Sequence, residues 1–359
     1  MIRVITYSFH SRSRRISRHT IIQCVLVGAV GLVVTGTSAA ETPGSAAVST
    51  DPHKVKGVES CVKCHENEVK QWKNTPHAQT FDTLHRRPEA KQIAERMGVR
   101  SIKRGDVCIE CHYTQQAHED GKIKAISGVS CESCHGAAND WLAIHNDYGG
   151  ENVPKSAETA EHRARRMKQS INLGMRNPVN LYLVARSCFD CHTTPNEKLV
   201  NVGGHSAGSK DFELVSWSQG MVRHNFLRTE GKANAPSSPD RIRVMFVVGL
   251  MTDLEYSLRA TALATEKSTF GLTSAKRAAT VRKKLTAIQQ HVNNPQLERA
   301  LAAVNSVKLK LNNREELEAA AAVVGESAYE FAETQDGTRL SAIDPIVPPP
   351  NAYRHQSQR

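Results

Sequence analysis

The apolar positions of the chain fall into stretches of different character. One continuous apolar run, Ile21 to Val34, follows a basic stretch over residues 10–19 and precedes the small residues Thr37-Ser38-Ala39-Ala40. That order is the n-, h- and c-region pattern of an export signal over residues 1–40, with cleavage expected after Ala40. The run is short for a spanning helix and no charged stop follows it; an uncleaved membrane anchor is the alternative. Residues 41–56 read as a Pro/Gly/Ser/Ala linker. Residues 57–230 show short apolar groups between turn residues, which predicts short helices and loops. Within them Ala157 to Gln169 reads as a strongly charged helix, solvated or docking a partner. Gly231 to Pro239 reads as a boundary.

Periodicity then becomes regular. Residues 238–335 carry apolar residues at i, i+3, i+4 and i+7, the pattern of an antiparallel helical bundle. Ser238-Pro239-Asp240 opens a first helix, a second spans about Thr273 to Val292, Asn294-Pro295 starts a third, and Asn313 caps a fourth that runs to about Thr334. The bundle either packs on the preceding segment or serves as an oligomerisation or docking module. Residues 336–359, Pro-rich from Pro345, are expected to be a loose tail.

Composition changes this picture in one respect. Aromatics make up only 5% of 359 residues, thin for side chains alone to fill the interior. Nine cysteines and sixteen histidines stand beside that shortage. Removing the five arginines of the first forty residues takes the formal charge from +11 to +6. A balance of that size gives no reason to expect nucleic-acid binding.

Cys24 lies in the apolar run, and the other eight cysteines all fall into Cys-x-x-Cys-His. The four motifs are Cys61-Val62-Lys63-Cys64-His65, Cys108-Ile109-Glu110-Cys111-His112, Cys131-Glu132-Ser133-Cys134-His135 and Cys188-Phe189-Asp190-Cys191-His192. Chance would supply roughly 0.01 such motifs. The spacing lets two thioethers fix one porphyrin edge while the adjacent histidine reaches the iron, so four covalently bound haem c groups are expected. His65, His112, His135 and His192 are then the proximal ligands. A disulfide framework gives no reason for a histidine after every second cysteine. A zinc ribbon would pair its motifs at similar separations, whereas these begin 47, 23 and 57 residues apart. The macrocycles supply the missing apolar filling, and their propionates bring the oxidised protein close to neutrality.

The sixth iron position separates carrier from catalyst, since an open site binds small molecules and a closed one passes electrons. Eight histidines of the haem-bearing stretch remain for it: His53, His77, His85, His118, His145, His162, His205 and His224. Methionines at helical spacing are more often gap-fillers than ligands.

Ser60-Cys61 to Cys64-His65, Gln71-Trp72 and Thr75-Pro76-His77-Ala78 together resemble the opening of the tetrahaem cytochrome c-554 family. Gly128-Val129-Ser130-Cys131-Glu132-Ser133-Cys134-His135-Gly136 resembles its third haem site, with His145 at a matching interval. Phe212-Glu213 and Met221-Val222-Arg223-His224 look like its late helix with a distal histidine. The resemblance covers about residues 57–228. It implies that His145 caps the haem at Cys61/Cys64, His77 that at Cys188/Cys191, and His224 that at Cys131/Cys134. The family's second haem can lack a sixth ligand, which corresponds here to Cys108/Cys111 with His112. His205, in Gly203-Gly204-His205-Ser206-Ala207-Gly208, departs from the family pattern; it could close the second haem or replace His224 on the third.

The expected fold is mainly α: a multihaem domain of short helices and loops packed on four haems, followed by the bundle. The resemblance implies a periplasmic electron carrier between redox proteins, with relatives that accept electrons from hydroxylamine oxidoreductase. Two other readings stay open. An open second haem could reduce nitric oxide, nitrite or hydroxylamine, and the chain could be the electron-transfer subunit of a larger multihaem complex or a homo-oligomer joined through its C-terminal helices.

Overall fold

A computed structural model describes residues 50–354. The expected signal, most of the linker and His355 lie outside the described residues. Among those described, no helix is long and apolar enough to cross a membrane.

The first half is built from short helices: α1 (Glu59–Val62), α2 (Glu66–Lys73), α3 (Pro76–Thr83), α4 (Pro88–Arg96) and α5 (Asp106–His112). Thr75 starts α3 by accepting the Ala78 N–H, and Pro76 in the first turn sacrifices no helical hydrogen bond. A hairpin that the apolar pattern did not suggest follows, β1 (Thr114–Ala117) paired antiparallel with β2 (Ile123–Ser127). Then come α6 (Cys131–His135), α7 (Ala160–Asn172), α8 (Leu181–His192), α9 (Glu197–Asn201) and α10 (Leu214–Ser218).

The second half consists of α11 (Pro239–Leu263), α12 (Thr269–Val292), α13 (Pro295–Asn305) and α14 (Arg314–Thr334). Ser238 and Asn294 cap α11 and α13 through the Arg241 and Leu297 N–H groups, each ahead of a proline. Asn313 precedes α14 but turns its amide to the Lys308 carbonyl instead of capping.

Helix α11 packs against α12, α14 and α8. It is therefore buried on every side from Val244 to Ala262, where an amphipathic helix was expected. Leu181, Tyr182, Ala185 and Phe189 of α8 share one core with Val247, Met251, Leu254, Leu285, Leu297 and Phe331. The stretch before residue 231 and the helices after it thus share one core, with no domain break between them.

The tail is also corrected. Leu340, Ile343 and Tyr353 are buried in that core. Arg243 holds Asp344 at 2.6 Å, and the Arg354 N–H donates to the Ser216 carbonyl. The proline content marks 3-10 turns, such as Thr338–Ile346, and not a loose segment.

Candidate metal centres

Each Cys-x-x-Cys-His motif sits on a short helix or at a helix end, and each ends in an imidazole that faces a second imidazole. The ring centroids of His65 and His145 are 6.4 Å apart, those of His192 and His77 6.3 Å, those of His112 and His205 6.4 Å, and those of His135 and His224 6.0 Å. A metal–imidazole bond of about 2 Å, with about 1.1 Å more from nitrogen to ring centre on each side, puts two axial rings about 6.2 Å apart. None of the eight cysteines among the described residues forms a disulfide.

Outer hydrogen bonds orient the rings. The Nδ1 atoms of His145, His205, His224 and His135 face the carbonyls of Leu142, Ser206, Val222 and Arg176 at 2.5, 3.0, 2.7 and 3.1 Å. A ring whose Nδ1–H is spent on a carbonyl presents Nε2 as its lone pair, the tautomer a metal requires. Burial pushes the imidazoles toward neutrality: His112 and His135 fall to about 4 and His192 to about 3, with His77 and His145 also lowered. A ring that stays neutral keeps its ligand lone pair.

The third motif shows why its sequence is so specific. Ser130 and Ser133 form a capping box at the start of α6. The buried Glu132 carboxylate accepts N–H bonds from Lys56, Gly57 and Ala138 at 2.8–2.9 Å, tying the chain ahead of the first motif to the third. Gly136 adopts φ +88°, and a Cβ there would stand 2.1 Å from the Gly174 carbonyl oxygen. Arg176 gathers the carbonyls of Glu132, Ser133 and Cys134.

Around the other motifs, Arg166 donates to the His145 carbonyl and is itself gripped by both oxygens of Glu158 at 2.6 Å. The Thr80 hydroxyl lies 2.7 and 2.8 Å from the carbonyls of His77 and His112. Phe212 stacks on His192 at 4.1 Å, and Arg277 reaches the His192 carbonyl. Arg96 holds the Gly203 carbonyl at 2.8 Å, steadying the loop that carries His205. In the sequence nothing separates Arg96, Glu158, Arg166 and Arg277 from surface charges.

The motifs adjoin one another in a definite order. The Cys61 side chain adjoins that of Cys131, the Ser187 hydroxyl donates to the Cys134 carbonyl, and the Cys191 side chain adjoins that of Cys111. That gives first, third, fourth, second. Of the other candidates for the sixth position, His162 is bonded to Glu158, while His53 and His118 are exposed.

The residues fit covalent haem on two observations. The opposed rings have the separation of two axial ligands. Buried polar atoms also lie without partners beside three of the opposed imidazoles: Trp141 Nε1 next to His145, the Tyr113 hydroxyl after His112, and Arg223 Nε before His224. Such donors suit the propionates a haem brings.

The family profile described as cytochrome c554 and c-prime matches residues 60–136, which hold the first three motifs. Cytochrome c-554 of Nitrosomonas europaea is 29% identical over 101 residues, 26% of this chain and 43% of that protein. The alignment thus spans less than half of the relative's length. No solved structure matches. The fourth motif, His145, His205 and His224 lie beyond the profile match, so their pairing rests on geometry alone. Residues 60–136, with the first three haem motifs, are thus similar to the cytochrome c-554 family.

Proposed function

We propose that the chain is an exported tetrahaem c-type cytochrome that passes electrons between redox proteins through four bis-histidine haems. The observation that carries this reading is the set of four opposed imidazole pairs at 6.0–6.4 Å. The haem on Cys61/Cys64 takes His65 and His145, and that on Cys108/Cys111 takes His112 and His205. The haem on Cys131/Cys134 takes His135 and His224, and that on Cys188/Cys191 takes His192 and His77.

When bound, each haem would supply a one-electron iron couple. The protein's own residues favour the neutral rings of His77, His112, His135, His145 and His192 by burial, and aim Nε2 of His135, His145, His205 and His224 inward through their Nδ1 partners. The contacts of Cys61 with Cys131, Ser187 with Cys134 and Cys191 with Cys111 support a relay in the order first, third, fourth, second. A periplasmic location follows from the signal-like leader, because haem attachment to these motifs takes place after export. Service to hydroxylamine or nitrogen-oxide metabolism is the finer reading, supported by the similarity to cytochrome c-554.

The test is a haem count with optical and EPR spectra of the air-oxidised exported protein. Four haems, all low-spin, are expected. Fewer than four would defeat the reading. A high-spin component that shifts with nitric oxide would favour an enzyme with an open second iron.

A further inference from the structure

We propose that the surface around the His205 loop is the docking site for an electron-transfer protein that presents an acidic face. This rests on the tetrahaem reading, in which the second haem ends the relay.

The two ends of the relay differ in charge. Around the first motif, residues 59–74 hold three carboxylates and three lysines. Beside the second, residues 84–104 hold seven cations, Arg86, Arg87, Lys91, Arg96, Arg100, Lys103 and Arg104, against Glu89 and Glu95. Six of the seven are exposed, and none forms an ion pair among the described residues. Lys91, Arg100 and Lys103 line an open cleft with His85. Lys103 lies 3.6 Å over the Phe81 ring, which packs edge-on against Tyr113, the neighbour of His112. Two propionates on one haem cannot absorb a five-charge excess. The surplus faces solvent.

A second basic element closes the rim. From Lys267 to Leu297 there is no carboxylate, and Lys276, Lys283 and Lys284 of α12 are exposed. The His205 loop bridges the two: Gly203 packs on Met97 at the end of α4, and Gly208 on Arg277 of α12. Asn201 accepts the Phe270 N–H, which brings Val202 and Leu272, each 53% exposed, onto adjoining elements. A small apolar contact with a predominantly basic rim steers an opposite-charged partner and lets it leave quickly, as transient electron transfer demands.

The test is stopped-flow reduction of the holoprotein by a plant-type ferredoxin, an acidic donor, at varied salt. Lys91→Glu/Arg100→Glu should slow the second-order rate by about tenfold at low salt, with convergence to the unmodified protein near ~0.5 M. Lys63→Glu/Lys73→Glu, at the first motif, should change it by less than about twofold. Equal effects of the two pairs, or a rate independent of salt, overturns the proposal. So does release of the Lys91/Arg100 variant from phosphatidylglycerol-containing vesicles with its ferredoxin rate unchanged, since the surface would then serve a membrane. A chain with fewer than four haems overturns the tetrahaem reading as well; a four-haem chain that dithionite reduces fully but shows no difference between the pairs overturns the docking site alone.

Discussion

His205 stands opposite His112 with 6.4 Å between ring centroids, its Nδ1 on the Ser206 carbonyl and its loop held by Arg96. This one relationship decides whether the second iron is closed. On the proposed assignment, His205→Ala opens that iron and no other. Four haems are expected to remain attached, with about one quarter of the iron turning high-spin and acquiring nitric oxide binding. EPR of the variant checks this; an unchanged low-spin spectrum would place the sixth ligand elsewhere.

Glu158 supports His145 through Arg166. The Arg166 guanidinium, then His162, hold the Glu158 carboxyl at about 2, below its ordinary 4.5. A lowered folded value means that the contribution is fully present above about pH 4.5 and is lost as pH falls through about 2. Low-spin signal from the first haem should decline across that window in the unmodified protein. In Glu158→Gln the same support is missing at neutral pH, so its acid profile should lack this step. Acid titrations of both proteins by optical spectroscopy compare them.

Glu132 accepts three backbone N–H groups. Glu132→Gln leaves one without an acceptor and removes the charge from the other two, at a cost of about 1–3 kcal/mol. Thermal denaturation should show the loss, while the haem count stays the same.

Within the second-half core, Arg259 bonds the buried Glu255 and the half-buried Glu318, and the Tyr182 hydroxyl donates to Glu255 at 2.8 Å. Arg259→Met leaves the Glu255 carboxylate with less compensation in a dry interior and should destabilise by about 3–5 kcal/mol. Urea unfolding followed by circular dichroism measures this; a neutral effect would mean that the cluster is hydrated.

Legibility followed the range of the interactions involved. The eight thioether cysteines and four adjacent histidines are local, since five consecutive residues contain the whole chemical requirement. His77, His145 and His224 were assigned partners only through resemblance to a family, and His205 had two open destinations, because nothing along the chain says which ring it meets. Glu255 and Arg259 look like the polar side of an amphipathic helix; they are buried because α8 and α14 cover that side, and Asp253, on the opposite side, because α12 brings Arg277 to it, facts spread over distant segments. The tail misled for the opposite reason: its prolines masked the three apolar anchors Leu340, Ile343 and Tyr353.

On the proposed assignment the iron bonds have a topology of their own. They join residue 65 to 145, 77 to 192, 112 to 205 and 135 to 224, so the four closed loops interleave and every one of them spans the stretch between His135 and His145. A peptide bond cut there would separate the chain into two pieces that four metal bridges still clasp. Such a nick would add only one water to the mass of the native protein and leave its haem spectrum unchanged, and the halves would part only under conditions that strip imidazole from iron.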